Sequence, residues 1–118
     1  MRSMNHYRKS VVFRFEDGAA GADLVQSQVI PCSGEILHVH QVNSLNTGTR
    51  TAQITVVDRF GNTVWDGTAK AHNASYDHEF ATTRRILAGD DTVKCTLSGD
   101  PGASGAIIEV VFALYGRE

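Results

Sequence analysis

The sequence predicts a single all-β domain: an antiparallel β-sandwich, jelly-roll-like, with about eight strands. Three observations support this fold class. The chain has 118 residues, which is enough to build one core without cross-links. Short segments of alternating apolar and polar residues recur along it, separated by turns rich in Gly, Asn and Asp, as in sandwiches and jelly rolls. No convincing amphipathic helix interrupts them.

The segment 91–115 dominates the chain. Residues 106–115 form its longest dense apolar run, with apolar side chains at both odd and even positions. Because a strand that is apolar on both faces is usually buried on both, we expect this strand in the interior of a sheet. Residues 92–98 alternate cleanly, as in a half-buried strand. The loop 99–105 contains Pro101 and three glycines, so we expect it to join the two strands as a hairpin.

The remaining elements follow in chain order. Residues 1–9 are polar and without a period, so we expect a mobile basic N-terminal arm, followed by a sandwich domain over 10–118. The second strand should end at Pro31, which lacks the amide that a sheet interior requires. The strands at 51–58 and 63–65 should pair as a hairpin. The predicted strands are 10–15, 24–30, 35–42, 51–58, 63–65, 76–80, 92–98 and 106–115.

Charge is unevenly distributed along the chain. The net charge of −2 is too small for binding of nucleic acid by bulk charge. The first 15 residues carry +4, so the remaining residues carry −6. A basic arm before an acidic body is expected to contact a neighbouring subunit. The candidates for partner contact are Arg2, Tyr7, Arg8 and Lys9 in the arm, and Asn46 and Arg50 in the polar loop 43–50.

Two features of the sequence concern its compartment. It contains no run of about 20 apolar residues that could span a bilayer, and no apolar stretch follows the basic N-terminus. We therefore expect a protein of the cytosol, or of an assembly built there, without a membrane partner. Cys32 and Cys95 each lie in or beside a predicted strand, outside any Cys-x-x-Cys pair, which favours two buried reduced thiols.

The best candidate for a metal site is the pair His38 and His40. Residues two apart on a strand point to the same side, so both imidazoles could reach one metal, with His78 as a third ligand. A cupin-like metalloenzyme would use such a pair. The cupin pattern fails, however, because no acid follows His40 closely and no histidine follows His78. We therefore expect these histidines to line a polar sheet face or a subunit interface, with no metal and no cofactor.

Other chemistry has less support from the residues. No Gly-x-Ser-x-Gly motif is present, and neither cysteine has an evident base beside it. Asp58, Asp66 and Asp90 could bind calcium if their loops converged, but their spacing matches no EF-hand. A small-ligand or carbohydrate-binding sandwich is an alternative function, and it would present exposed aromatic rings. The aromatic candidates for it are Phe60, Trp65 and Tyr76.

The segment 88–116, AGDDTVKCTLSGDPGASGAIIEVVFALYG, resembles the C-terminal part of small structural proteins of tailed bacteriophages. The shared features are a Gly-Asp turn, a short alternating strand, a Ser-Gly-Asp-Pro-Gly loop and a final apolar strand ending in Leu-Tyr. The hairpin segment ITVVDRFGNTVW, residues 54–65, has the same character. The resemblance implies a non-enzymatic virion component, foremost a capsid decoration or cement protein, then a neck or tail accessory protein. It also implies contact with a major capsid or other virion protein. We expect a homo-oligomer, a dimer or trimer, because the strands expose many threonines and few charges and small structural subunits usually form closed symmetric oligomers.

Overall fold

The computed structural model describes residues 4–45, 50–71, 73–80, 84–103 and 105–117, and it confirms the predicted all-β sandwich. Two antiparallel sheets pack face to face, and a short 3-10 helix, Gly21–Leu24, precedes the second strand. Within these ranges, no helix has the length and apolar character needed to span a bilayer. The strands are β1 (Asn5–Phe15), β2 (Val25–Ile30), β3 (Ser33–Leu45), β4 (Ala52–Val57), β5 (Thr63–Asp66), β6 (Ala74–Glu79), β7 (Ile86–Ala88), β8 (Asp91–Leu97) and β9 (Ala106–Gly116).

The strand order is that of a jelly roll. The large sheet has the order β1-β9-β3-β6, and the short β7 also pairs with β3. The small sheet has the order β2-β8-β4-β5. Most connections cross from one sheet to the other, and the β4–β5 hairpin stays within the small sheet, as the sequence predicts. Closing two sheets over one core in this way leaves few unprotected strand edges.

The core lies between the two sheets and is built from the inward face of each strand. β9 runs between β1 and β3, which confirms its predicted position in the sheet interior. Its even-numbered residues are buried, including Phe112 at 0% exposure. Its odd-numbered residues lie on the outside of the large sheet, where Ile107 and Tyr115 are exposed. The prediction that β9 is buried on both faces is therefore wrong for the second face.

Two buried amides tie the sheets together. Gln41 and Asn43 point into the core from β3, each with 1% of its surface exposed. The Gln41 amide donates to the carbonyl of Ala52 on β4 at 3.1 Å, and to Asn43 Oδ1 at 2.9 Å. Asn43 in turn donates to the carbonyls of Lys70 and Ala71. Because these donors have partners, the buried amides link β3 to the small sheet without an unmet desolvation cost.

The link between β8 and β9 is a crossover between sheets, so the predicted C-terminal hairpin is wrong. β8 pairs with β2 and β4, whereas β9 pairs with β1 and β3. The loop between them is fixed by Asp100, whose Oδ1 accepts from the amides of Gly18 at 3.1 Å and Gly102 at 2.9 Å. Gly105 is required at the end of the loop, because a Cβ there would lie 2.3 Å from the Phe15 carbonyl oxygen. A turn-rich loop suits a hairpin and a crossover equally, so the sequence does not distinguish them.

The N-terminal segment is part of the sheet. Asn5–Lys9 belong to β1 and pair with the end of β9, from Asn5 opposite Gly116 to Lys9 opposite Phe112. The Tyr7 hydroxyl also donates to the Ser33 carbonyl at 2.5 Å. The prediction of an arm separate from the sandwich must be corrected for these residues. Their side chains are mostly exposed, so no apolar period marks the strand, which the backbone ladder holds in place.

Candidate interaction surface

The candidate site is the outer face of the large sheet, meaning the side chains of β1, β9, β3 and β6 that point away from the core. The strands pair in register, so residues opposite one another share this face. Its members are His6, Arg8, Ser10, Val12 and Arg14 on β1; Ile107, Glu109, Val111, Ala113 and Tyr115 on β9; Glu35, His38, His40, Val42 and Ser44 on β3; and Ser75, Asp77 and Glu79 on β6.

The middle of the outer face is mostly apolar, with Glu109 of β9 as an exposed charged residue within it. On β9, Ile107 is 42% exposed and Tyr115 is 39% exposed, while Val111 and Ala113 are half-buried. Val12 and Val42 flank β9 on the neighbouring strands and are also half-buried. Side chains of this kind gain free energy when another surface removes them from water. The apolar residues at odd positions of β9 thus make the outer face a candidate contact surface.

The two sides of the outer face carry opposite charge. β1, at one side, contributes Arg8 and Arg14, and both are exposed. β6, at the other side, contributes Asp77 and Glu79, which are exposed as well. The charge therefore changes sign across the sheet, from basic at β1 to acidic at β6. Such a polarity governs which surface can pack here, since like charges across an interface are repulsive.

Two histidines and one carboxylate cluster on the acidic side. Oδ1 of Asp77 lies 2.6 Å from Nδ1 of His40 and 2.9 Å from Nε2 of His38. The hydrogen bond from His40 is the main cause that holds the pKa of Asp77 below its usual value. The two imidazoles are stacked, with ring centroids 6.4 Å apart. The cluster joins β3 to β6 and confirms that His38 and His40 share a face.

His78 does not join this cluster. It lies opposite Val39 in the β3–β6 register, so it points to the inner side of the sheet, where its ring meets Trp65 edge-on at 5.2 Å. Burial lowers the pKa of His78, and its Nε2 is buried without a hydrogen-bond partner. The predicted three-histidine alternative is therefore not assembled. Within the described ranges, no three His, Cys, Asp or Glu residues are grouped to hold a metal ion.

The candidate contact residues are dispersed over the molecule. Arg8 lies on the outer face, whereas Tyr7 and Lys9 point to the other side of β1. Arg50 lies beside the crossover loop, where its Nε donates to the Asp100 carbonyl at 3.3 Å. Arg2 and Asn46 lie outside the described residues. Glu79 also lies on the outer face but was not among the predicted candidates, because the alternation around it was visible and the pairing of β6 with β3 was not.

The aromatic candidates for a sugar site do not share a surface. Trp65 packs in the core at 6% exposure, and Tyr76 on β6 is half-buried. Phe60 is 74% exposed at the tip of the β4–β5 hairpin, under the guanidinium of Arg59. The calcium alternative required three loop acids to converge. Asp58 and Asp90 line one cleft, but Asp66 is not part of it. Asp58 accepts two amides of its own turn, Asp66 accepts from side chains on β4, and Asp90 pairs with Arg59 at 3.5 Å.

The likeness of this chain to known proteins lies in its backbone fold. No protein-family model and no curated protein matches the sequence. Among solved structures, the chain is similar to the SPBc2 prophage-derived protein YomS, with a TM-score of 0.46 and 14% identity over 91% of this chain and 95% of that one. A chain of infectious bursal disease virus Gx strain gives a TM-score of 0.45 and 10% identity, covering 99% of this chain and 33% of that chain. The VP2 subviral particle of that virus gives 0.35 and 10% identity, again over 33% of its chain.

Proposed function

We propose that this protein is a non-enzymatic structural subunit of a bacteriophage particle, namely a capsid decoration or cement protein that stabilises the shell through protein contacts. The observation that carries the proposal is the outer face of the large sheet, where exposed apolar side chains lie between a basic and an acidic strand. A surface of this kind is suited to contact with protein. The resemblance of residues 88–116 to tailed-phage structural proteins supports the assignment to a bacteriophage particle.

The placement of the reactive side chains supports a structural role. His38, His40 and Asp77 bind one another on an open sheet face. Cys95 is buried in the core, and burial raises the pKa of its thiol to about 12, which makes it a poor nucleophile at neutral pH. These groups stabilise the sandwich and line its surface.

The proposal implies two kinds of partner. One is the major capsid protein of a shell assembled in the host cytoplasm, and the other is a further copy of this chain. Symmetric self-association multiplies weak contacts, which suits a protein that covers a lattice. A sandwich with its apolar core hidden between the sheets can present several such contacts at once.

Reconstitution on empty shells tests this function. Shells of the phage whose genome encodes the chain would be prepared without it, mixed with purified protein and separated by sedimentation. We expect saturable binding at a fixed ratio to the shell protein, and an increase in the temperature at which the shells open. Shells that retain their own copies are the matched control and should take up little more. Absence of binding to the depleted shells would contradict the proposal.

A further inference from the structure

We propose that the outer face of the large sheet binds a second copy of this chain, face to face, about a two-fold axis parallel to the strands. The inference deepens the proposed function by assigning the surface used for self-association. It is tested on the purified chain alone, so its failure is distinguishable from a failure to bind shells. We infer that the partner is a second copy from the charges and side-chain sizes on the outer face itself.

The in-register strands place the outer-face residues in rows across the sheet. One row runs from Arg8 through Ala113 and His38 to Glu79. The next row runs from Ser10 through Val111 and His40 to Asp77. Each of these two rows therefore begins with a cation or a hydroxyl group on β1 and ends with a carboxylate on β6. The row after them runs from Val12 through Glu109 and Val42 to Ser75, so its carboxylate lies on β9.

A two-fold axis parallel to the strands, midway between β9 and β3, makes these rows complementary. The rotation keeps each row at its own level, brings β1 over β6 of the second copy, and brings β9 over β3. Arg8 then faces Glu79, and Ser10 faces Asp77, so both carboxylates of β6 meet a cation or a donor. Glu109 of β9 faces Val42. In the middle, the small Ala113 faces the larger His38. Sheets that pack in this aligned way lie about 10 Å apart, with their strands crossed by about 30°.

The same charges exclude the other face-to-face arrangement. An axis perpendicular to the strands would place β1 over β1 and β6 over β6. Arg8 and Arg14 would then lie among cations of the second copy, and Asp77 and Glu79 among carboxylates. Like charges across an interface are repulsive, so the pattern selects the parallel axis.

Pairing through the free edge of β1 is also disfavoured. Side chains of β2 already cover part of that edge, since Gln28 donates to the Val12 carbonyl at 2.6 Å and Gln26 donates to the carbonyl of Arg14. Antiparallel pairing of the remaining β1 segment with itself would bring together copies of Arg8 and Lys9. Charged side chains and covered carbonyl groups are common protections against edge-to-edge association.

Reversing the charge of Arg8 in one variant and of Glu79 in another tests the arrangement. Within one chain, Arg8 and Glu79 are three strand spacings apart, about 14 Å, so they do not pair directly. We expect sedimentation equilibrium at low salt to give twice the 12.8 kDa chain mass for the unaltered protein. Arg8→Glu and Glu79→Arg should each raise the dimer dissociation constant about tenfold or more. An equimolar mixture of the two variants should dimerise again, because each altered side chain meets its complement.

The control is Lys94→Glu, a charge reversal of an exposed residue on β8 in the small sheet, which should leave the dissociation constant unchanged. Circular dichroism checks that each variant folds. If Arg8→Glu does not fold, Arg8→Gln and Glu79→Gln replace the reversals in a double-mutant cycle, where coupling is expected and additive effects would overturn the proposal. Four other results would also overturn the proposal. Three concern mass: a monomer at every protein concentration, a trimer, or a mixture of the two variants that is no heavier than either variant alone. The fourth is an effect of Lys94→Glu as large as that of the two reversals.

Discussion

At the residue scale, Phe112 is the clearest test of the core. Its side chain is fully buried on the central strand of the large sheet. Phe112→Ala should lower the free energy of unfolding by about 3–5 kcal/mol, because the lost contacts leave a cavity. Phe60→Ala is the control, since Phe60 is 74% exposed and its removal should change stability by less than about 0.5 kcal/mol. Denaturant unfolding measures both, and a near-neutral Phe112→Ala would contradict the described core.

His78 should make stability depend on pH. Burial lowers the pKa of its imidazole from the usual 6.5, so the unfolded chain binds the proton more readily than the folded one. The free energy of unfolding should therefore rise with pH between the lowered folded-state pKa and about 6.5, and level off above. Denaturant midpoints between pH 5 and 8 measure this slope, and His78→Gln should reduce it.

The control for that measurement is His6→Gln, which removes an exposed histidine and should leave the slope as it is. If the His78→Gln variant kept the slope of the unaltered protein, the assignment to His78 would be contradicted.

Asp77 affects stability in a lower pH range. Because its pKa is lowered, its contribution to stability is present above the usual carboxyl pKa near 3.8 and is lost only as pH falls below it.

Individual residues were predictable where a strand pattern alone decides their position. Phe112 and Val93 follow from alternation along their own strands, and both are buried as expected. The shared face of His38 and His40 follows from their spacing in the same way. The carboxylate between them could not be predicted, since Asp77 lies on β6, and its position depends on the register between β6 and β3. Alternation along a strand predicts which side chains share a face, but it does not predict which strand lies beside it.

At the element scale, the N-terminal half of β1 gives the sharpest prediction. Deleting residues 1–9 removes Asn5–Lys9 from the ladder with β9, and it removes the Tyr7 hydroxyl bond to Ser33. We expect the thermal midpoint to fall by several degrees, because an antiparallel ladder on one side of the central strand is shortened by half. Deleting residues 1–3 is the control and should leave the midpoint nearly unchanged. Calorimetry that shows equal midpoints for both truncations would contradict a sheet role for these residues.

Elements were predictable where the local sequence alone specifies a turn. The β4–β5 hairpin follows from the turn after β4, whose conformation Asp58 fixes by accepting the amides of Phe60 and Asn62. The connection of β8 to β9 was not predictable from its loop. Asp100 accepts a hydrogen bond from the amide of Gly18, a residue 82 positions away, in the loop where the chain crosses to the other sheet. Long-range contacts of this kind leave no local signature in one sequence.

At the scale of the whole molecule, the jelly-roll order brings the distant strands β1, β9, β3 and β6 side by side. The outer face that results combines residues from both ends of the chain and from its middle. The sequence predicted a basic N-terminus and an acidic remainder, but the opposition of Arg8 to Glu79 across one sheet appears only in the fold. The face is thus a product of topology, and it is the feature on which the proposed structural role depends.

The number of copies of this chain in purified particles tests that role most directly. Particles of the phage proposed to encode the chain would be isolated on a density gradient, washed and analysed by quantitative mass spectrometry against the major capsid protein. We predict that the chain is present at a fixed ratio to the capsid protein that is constant between preparations and retained through the wash. Absence of the chain from the particles, or traces that the wash removes, would contradict a structural role.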